Sequence, residues 1–179
     1  AHGLINYNLK TKQYKQFVKS IENEKSLSFN DVRDLIFDKS NNIWIATWGG
    51  GLNYFDTKNE EFLSYQFKEN DATSLSNNNI VSLEKDDNKI WIATYGGGLN
   101  MFDIKSKSFK RFNFAENNSE TISSNFLFSL FKGSNNYLWI GTSGSGICRM
   151  NLNDYSIERF NAYKYSTITS IKEDDNKNI

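Results

Sequence analysis

One short segment of this sequence recurs three times, and the recurrence restricts the chain to a repeat architecture. Each copy carries an Ile-Trp-Ile or Leu-Trp-Ile core, then a threonine and a glycine-rich stretch; the copies are 42–52, 89–99 and 137–147. The tryptophans Trp44, Trp91 and Trp139 lie 47 and 48 residues apart. Glycines keep the same spacing, at Gly3, Gly51, Gly98 and Gly146. A shared register of this kind predicts that each repeat folds into the same supersecondary unit.

Every repeat divides into four short apolar runs separated by Asn, Asp, Ser, Lys and Gly, which favour turns. In the first complete repeat these runs predict strand A at 31–37, strand B at 43–47, strand C at 52–56 and strand D at 61–67. Strand B is apolar on both faces, as expected for a strand between two packed sheets. Strand D carries charge, as expected at an outer edge. We therefore predict an all-β fold, a β-propeller of four-stranded antiparallel blades. A β-sandwich and a linear β-solenoid explain the shared register less well.

The repeats make residues 1–179 a single propeller region of about four blade equivalents, three complete and two partial. The complete blades are 26–67, 74–114 and 121–160, the end of a blade is 1–20, and the start of another is 166–179. Two interpretations remain: a closed four-bladed ring, or part of a larger ring. The chain begins without Met and stops where the next Trp is due, so we expect the second.

The terminal half-blades are predicted to find partners. An isolated two-stranded ribbon is marginally stable in water, and its open edge invites pairing. We therefore expect residues 3–17 to pair with residues 168–179, either within the chain or with another copy through the open blade edges.

The repeat resembles the two-component regulator propeller repeat. That pattern runs from an apolar pair through Leu-Trp-Ile-Gly-Thr and Gly-Gly-Gly-Leu to an aromatic-Asp end, and it is matched at 32–56, 80–103 and 127–151. The third copy departs from it, with Gly144-Ser145-Gly146 for the glycine triplet and Asn151 for the aspartate. Such propellers serve as extracytoplasmic sensors of bacterial histidine kinases, often hybrid ones that control carbohydrate use. The resemblance implies a ligand-sensing segment, periplasmic or at the cell surface, of a membrane-anchored receptor.

Composition excludes several classes of function. Lys+Arg and Asp+Glu both number 21, so the basic surplus of a nucleic-acid binder is missing. The single Cys148 excludes an intrachain disulfide, and the single His2 lies at the start of the chain. We therefore expect no cofactor, no metal site and no catalytic residues. The enzyme alternative, a propeller-fold lyase or hydrolase, would need a central His, a metal or paired carboxylates.

Several conspicuous residues have structural interpretations. The glycine triplets lack the Lys-Ser/Thr and the helix of a phosphate-binding loop. The acidic turns at 38–42, 86–88 and 174–176 lack the ordered ligands of a calcium loop. The three repeated tryptophans are predicted to stack between blades as core, with partners for their indole N–H groups. Cys148 replaces an Asn of the other repeats and is expected to be an inert core side chain.

The position after the repeated threonine varies, and it is the candidate binding position. It holds Trp48, Tyr95 and Ser143, on the turn between strands B and C. The connections 68–79 and 113–125 and the starts of the inner strands share that end of each sheet. We predict a binding face for an oligosaccharide or other small ligand, made of Trp48, Tyr95, Ser143, Asn30, Arg33, Asn79 and Asn125. The alternatives are ordinary turn aromatics and, for the function, a protein-interaction or dimerisation platform.

Overall fold

Short antiparallel strands provide nearly all the regular structure of the protein. The computed structural model describes residues 2–179, except for the side chain of Asn161. A single turn of 3-10 helix, Asn161–Tyr163, follows the last strand. The strands are β1 Leu4–Tyr7, β2 Tyr14–Phe17, β3 Val32–Phe37, β4 Ile43–Thr47, β5 Gly51–Asp56, β6 Glu61–Tyr65, β7 Ile80–Asp86, β8 Lys89–Thr94, β9 Gly98–Asp103, β10 Ser108–Phe112, β11 Leu127–Lys132, β12 Tyr137–Thr142, β13 Ile147–Asn151 and β14 Ile157–Arg159.

The strands form three four-stranded meanders and one two-stranded hairpin. Blade 1 is β3-β4-β5-β6, blade 2 is β7-β8-β9-β10 and blade 3 is β11-β12-β13-β14, and all of their neighbouring strands pair antiparallel. The hairpin β1-β2 supplies the last two strands of a further blade. The prediction of four-stranded blades is thus confirmed, although strand D of blade 1 ends two residues earlier than predicted, at Tyr65.

The inner strands β3, β7 and β11 lie beside one another, and each carries a bulge near its start. The register shifts between Val32 and Asp34, and at the equivalent places in blades 2 and 3. A bulge turns its extra residue out of the ladder and re-aims that side chain. The residues re-aimed in this way are Arg33, Val81 and Phe128.

The repeated tryptophans form the core between the blades, as predicted. Trp44, Trp91 and Trp139 are 4%, 0% and 9% exposed on β4, β8 and β12. Trp44 packs against Tyr54 of its own blade, with ring centroids 4.7 Å apart, and edge-on against Phe102 of blade 2 at 5.3 Å. Strand B therefore joins consecutive blades.

The expectation of indole hydrogen-bond partners is wrong for two of these tryptophans. The buried Nε1 atoms of Trp91 and Trp139 have no hydrogen-bond partner among the described residues. The Trp91 ring lies near Phe112 of its own blade, and the Trp139 ring packs against Phe160, with the Arg149 guanidinium 5.5 Å from its centroid. Aromatic packing in these two blades outweighs the cost of an unpaired indole N–H.

A buried Asn–Ser pair fastens each of the first two blades to the segment that leads into it. The Asn100 carboxamide accepts from the Ser76 backbone N–H at 3.0 Å and donates to the Ser76 hydroxyl at 2.7 Å. Asn53 and Ser28 make the same two bonds in blade 1, at 3.0 and 2.8 Å. Both asparagines are fully buried. Each pair thus satisfies polar groups that the fold removes from water.

Blade 3 lacks this pair because Cys148 stands in place of the asparagine. Cys148 is fully buried, and burial raises the pKa of its thiol, which therefore stays protonated. The corresponding serine hydroxyl, that of Ser123, is buried without a partner in the hydrogen-bond geometry of the structure. The thiol fills space here but does not replace the carboxamide.

The glycine-rich and acidic turns have structural roles. Gly51 has a φ of 73°, and a Cβ at this position would collide with the Tyr65 carbonyl oxygen. In the turn at 38–42, the Asp38 carboxylate accepts from the backbone N–H groups of Ser40 and Asn42, at 2.7 and 2.9 Å. The side chain thus stabilises its own turn.

The two terminal segments do not pair with each other within the described residues. The hairpin β1-β2 packs on blade 1, where the Phe17 ring lies 4.8 Å from that of Phe55. Residues 168–178 lie instead against blade 3: the Ile168 N–H donates to the Thr142 carbonyl at 3.0 Å. The expectation of pairing within the chain is wrong because the segments lie at opposite ends of the row of blades. Pairing with another copy stays a prediction.

Replacement of Asn100 by alanine should reveal the contribution of the buried pair. The Asn100→Ala change leaves the partly buried Ser76 N–H without its partner and its hydroxyl with only Thr94, which should lower the free energy of unfolding by about 1–3 kcal/mol. The control is Asn88→Ala, at an exposed turn, with an expected change within about 0.5 kcal/mol. Urea denaturation measures both variants, and equal midpoints would contradict this role.

Candidate ligand-binding face

The turns between strands B and C place their variable residues through the backbone alone. The N–H groups of Trp48, Tyr95 and Ser143 each donate to the carbonyl of the residue just before the inner strand of the same blade, at 2.8 Å in all three blades. The acceptors are the carbonyls of Asp31, Asn79 and Phe126. The side chains of these turn residues therefore emerge at one end of the blades, whatever their chemistry.

Four rings at that end form a continuous row, which we call the aromatic stripe: Trp48, Tyr95, Phe126 and Phe128. The Trp48 and Tyr95 centroids are 5.4 Å apart. Tyr95 also meets Phe126 at 5.1 Å and Phe128 at 5.8 Å, both edge-on. Phe126 is 47% exposed, and the other three rings are half-buried. The stripe spans blades 1 to 3 and presents ring surface to solvent.

A cation ends the stripe on the blade 1 side. The Arg33 guanidinium lies 5.1 Å from the Trp48 ring centroid, and it also pairs with the Asp31 carboxylate at 2.8 Å. The bulge in β3 directs this side chain toward the turn, and the equivalent bulge in β11 directs Phe128 toward Tyr95. The Arg33 side chain stays exposed, so its guanidinium can donate to a ligand that lies on the stripe.

The predicted asparagines divide into two groups. The Asn30 carboxamide oxygen accepts from the Lys19 N–H at 2.6 Å, and that of Asn125 accepts from the Phe114 N–H at 2.8 Å. Asn78 makes the same bond to the Phe67 N–H, at 2.8 Å. These three asparagines fix the connections between blades and are part of the scaffold.

Asn79 is different, since it lies one position later in its repeat. Its backbone pairs with Trp48 as an isolated bridge, and no hydrogen bond engages its carboxamide within residues 2–179. The whole Asn79 carboxamide therefore remains available to a ligand beside the stripe, whereas Asn30 and Asn125 have their carboxamide oxygens engaged. Their part in binding stays a prediction.

Sequence reasoning missed Phe126 and Phe128. Both follow Asn125, the last residue in the predicted face. Phe126 directly precedes β11, and Phe128 is the second residue of that strand. The available signal was the repeat itself: Phe126 is equivalent to Asp31 and Asn79, and Phe128 to Arg33 and Val81. These positions vary between blades as much as the turn residues do.

Across residues 2–179, no group of three or more His, Cys, Asp or Glu side chains is placed to hold a metal ion. The same part of the chain contains no helix that is long and apolar enough to cross a membrane.

Comparisons with known proteins agree with the blades and their repeat. The architecture is that of a β-propeller, here a row of blades that does not close into a ring. Three segments, 26–49, 74–96 and 121–144, match the two-component regulator propeller family. The chain therefore carries three repeats of this family. None of the curated proteins matches it in sequence.

Solved structures give the same fold. The extracellular domain of a putative hybrid two-component system of B. thetaiotaomicron is 23% identical, with a TM-score of 0.73 over 83% of this chain and 21% of that one. A putative one-component system of the same organism has an extracellular domain that is 18% identical, with a TM-score of 0.77 over 99% of this chain and 25% of that one. The β-propeller domain of Swd1 from Myceliophteria thermophila is 10% identical, with a TM-score of 0.59, and the match covers 96% of this chain and 54% of that one. This chain spans a quarter or less of the length of the two bacterial domains.

Replacement of Trp48 by serine should weaken the fold without preventing it. The Trp48 ring is half-buried between Arg33 and Tyr95, so its loss should lower the free energy of unfolding by about 1–2 kcal/mol. Blade 3 shows that the same turn accepts a serine, since the Ser143 N–H keeps the 2.8 Å bond. Urea denaturation measures the change, and loss of the folded far-UV circular dichroism spectrum in water would contradict the prediction.

Proposed function

We propose that this chain is a ligand-sensing segment from the extracytoplasmic part of a bacterial two-component receptor anchored in the membrane. The three family repeats support the assignment to signalling propellers. Two of the similar solved structures are extracellular domains of putative signalling systems, which supports the location. On this proposal, any histidine kinase activity belongs to other parts of the receptor.

The observation that carries the proposal is the contrast between a constant scaffold and a variable row of rings. The turn backbone is the same in each blade, yet its side chain changes from Trp48 to Tyr95 to Ser143. The fold does not require aromatic residues there, because blade 3 is built with serine. Partly exposed rings on rigidly held turns are typical of binding surfaces.

We propose a carbohydrate as the ligand class. The flat C–H face of a sugar ring stacks on aromatic rings, and its hydroxyls need donors and acceptors at the rim. The Trp48 and Tyr95 rings supply the first, while the Arg33 guanidinium and the Asn79 carboxamide supply the second. An open surface that crosses three blades suits an extended oligosaccharide better than a small enclosed molecule.

A glycan array probed with the protein tests this function. We expect the protein to retain a defined set of oligosaccharides, and the Trp48→Ser/Tyr95→Ser double variant to bind them at least about tenfold more weakly, since loss of an aromatic anchor typically costs 1–3 kcal/mol. Affinities for the best oligosaccharide are then measured by isothermal titration calorimetry.

The matched control is Phe37→Ala. Phe37 is 56% exposed and ends β3 at the opposite end of the blade, so its loss should leave oligosaccharide affinity unchanged. An equal loss of oligosaccharide affinity in the double variant and in Phe37→Ala, or unchanged affinity in the double variant, would show that the stripe is not the binding site. Retention of a polypeptide but of no oligosaccharide would favour the interaction platform instead.

We also predict that this segment has no glycoside hydrolase or lyase activity. The Asp31 carboxylate beside the stripe is already paired with the Arg33 guanidinium, so it is not free to act as a nucleophile or general base. Oligosaccharides that bind should therefore be recovered intact after long incubation, as checked by mass spectrometry. Cleavage that disappears in an Asp31→Asn variant would contradict this prediction.

A further inference from the structure

A groove of about 350 Å³ lies between blades 1 and 2, at the end of the strands opposite the aromatic stripe. Its walls include the rings of Trp44, Tyr54 and Tyr65 and the aliphatic side chains of Leu63 and Ile104. The turns between strands A and B in both blades form its rim. The groove thus exposes aromatic surface in a concave site that the proposed function does not use.

The equivalent place between blades 2 and 3 is filled by a ring of the protein itself. The Tyr155 ring lies edge-on to Trp91 at 5.9 Å and to Phe112 at 5.5 Å. Its hydroxyl accepts from the Lys89 ammonium at 2.9 Å, and the Lys110 ammonium lies 4.6 Å from the ring centroid. An aromatic ring with one polar substituent therefore fits this type of inter-blade groove.

The residue that fills the second groove has no aromatic counterpart in the first. Lys107 occupies the position of Tyr155 in the turn between strands C and D, and the two residues share a positive φ, 55° and 64°. The walls correspond as well: Trp44 to Trp91, Tyr65 to Phe112 and Tyr54 to Met101. The open groove keeps the aromatic walls but lacks the internal ring that fills the second one.

The charges around the open groove favour an anion. Three lysines line it, Lys39, Lys85 and Lys107, against two aspartates, Asp38 and Asp87. The Asp38 carboxylate already accepts from the N–H groups of its own turn. Among the residues that line the groove, the lysines outnumber the aspartates by one, and Lys107 lies at the position where Tyr155 places a ring.

The phenol of Tyr54 is held in place by hydrogen bonds within blade 1. Its hydroxyl accepts from the Asn42 carboxamide at 2.8 Å and donates to the Asp38 carboxylate at 3.3 Å. Burial raises the pKa of Tyr54, as does the Asp38 carboxylate, and burial raises the pKa of Tyr65. Both phenols therefore remain protonated and neutral at ordinary pH, which avoids repulsion of an anionic ligand.

We propose that the groove between blades 1 and 2 binds a small aromatic acid. The ring takes the place that Tyr155 occupies in the second groove and packs against the Trp44 and Tyr65 rings, whose centroids lie 6.0 Å apart. The carboxylate lies toward Lys107 and Lys85 at the rim. This site is independent of the aromatic stripe and of the proposed carbohydrate ligand.

The probe is 4-hydroxyphenylacetate, which carries the tyrosine ring and an acidic group. Titration to about 10 mM, followed by protein-observed NMR, should show one saturable site, because fragment-sized ligands bind in the millimolar range. Intermolecular NOEs from the probe ring to the Tyr54 and Tyr65 ring protons locate it in the folded protein without any variant.

Filling the groove is the decisive variant. Lys107→Tyr should place a ring as in blade 3 and weaken probe binding at least about tenfold, equivalent to 1.4 kcal/mol. The matched control is Lys105→Tyr, in the same turn but outside the groove, which should leave the affinity unchanged. Thermal unfolding confirms that both variants remain folded.

The reciprocal variant opens the second groove. Tyr155→Lys should raise the number of probe sites from one to two. The proposal is overturned if the probe does not saturate a site up to about 10 mM, if Lys107→Tyr leaves its affinity unchanged, or if the NOEs come from other residues. Binding of methyl α-glucoside with the same affinity as the probe would also overturn it, because the groove would then not select an aromatic ring. If the stripe variant kept its full affinity for oligosaccharides, the proposed carbohydrate site would fail, but the results for the groove would be unaffected.

Discussion

The packing of the strand-B tryptophan against the next blade determines the rest of the structure. Aromatic side chains bury about 150–250 Å² each, so a buried indole contributes heavily to a small interface. Trp44 meets Phe102 across the junction of blades 1 and 2, while Trp91 meets Tyr155 across the next one. These contacts fix the distance between consecutive blades. The same distance brings Trp48 within 5.4 Å of Tyr95 at one end and leaves a groove at the other.

Both candidate sites arise where equivalent positions of the repeat hold different residues. The turn between strands B and C changes from aromatic to serine, and the turn between strands C and D changes from Lys107 to Tyr155. Neither change disturbs the ladder, because the affected side chains lie beyond the paired strands. Internal repetition therefore supplies its own comparison, because one blade shows which other residue the scaffold tolerates at a position where its neighbour holds a candidate binding residue.

The sequence predicted the blades, their four strands and the buried tryptophans, since these follow from alternation and a fixed spacing. It did not predict the bulges that re-aim Arg33 and Phe128, because a bulge depends on the register between two strands. It assigned Asn30 and Asn125 to the binding face but did not predict that their carboxamide oxygens hold the connections. Their equivalence to Asn78 was visible in the spacing and indicates a scaffold role. The unpaired indole N–H groups and the open groove depend on packing, which spacing alone does not determine.

The backbone explains why these surfaces can vary without loss of the fold. In each blade the turn residue is held by its own N–H, at the same 2.8 Å, and a buried threonine closes the turn by donating to the carbonyl of the third glycine position, at 2.7–2.8 Å. These bonds use no atom of the variable side chain. A substitution there changes what the face presents, at the cost only of the contacts that the side chain itself makes. A fixed frame with independent turn positions can therefore acquire ligand specificity blade by blade, and the two ends of one blade can do so separately.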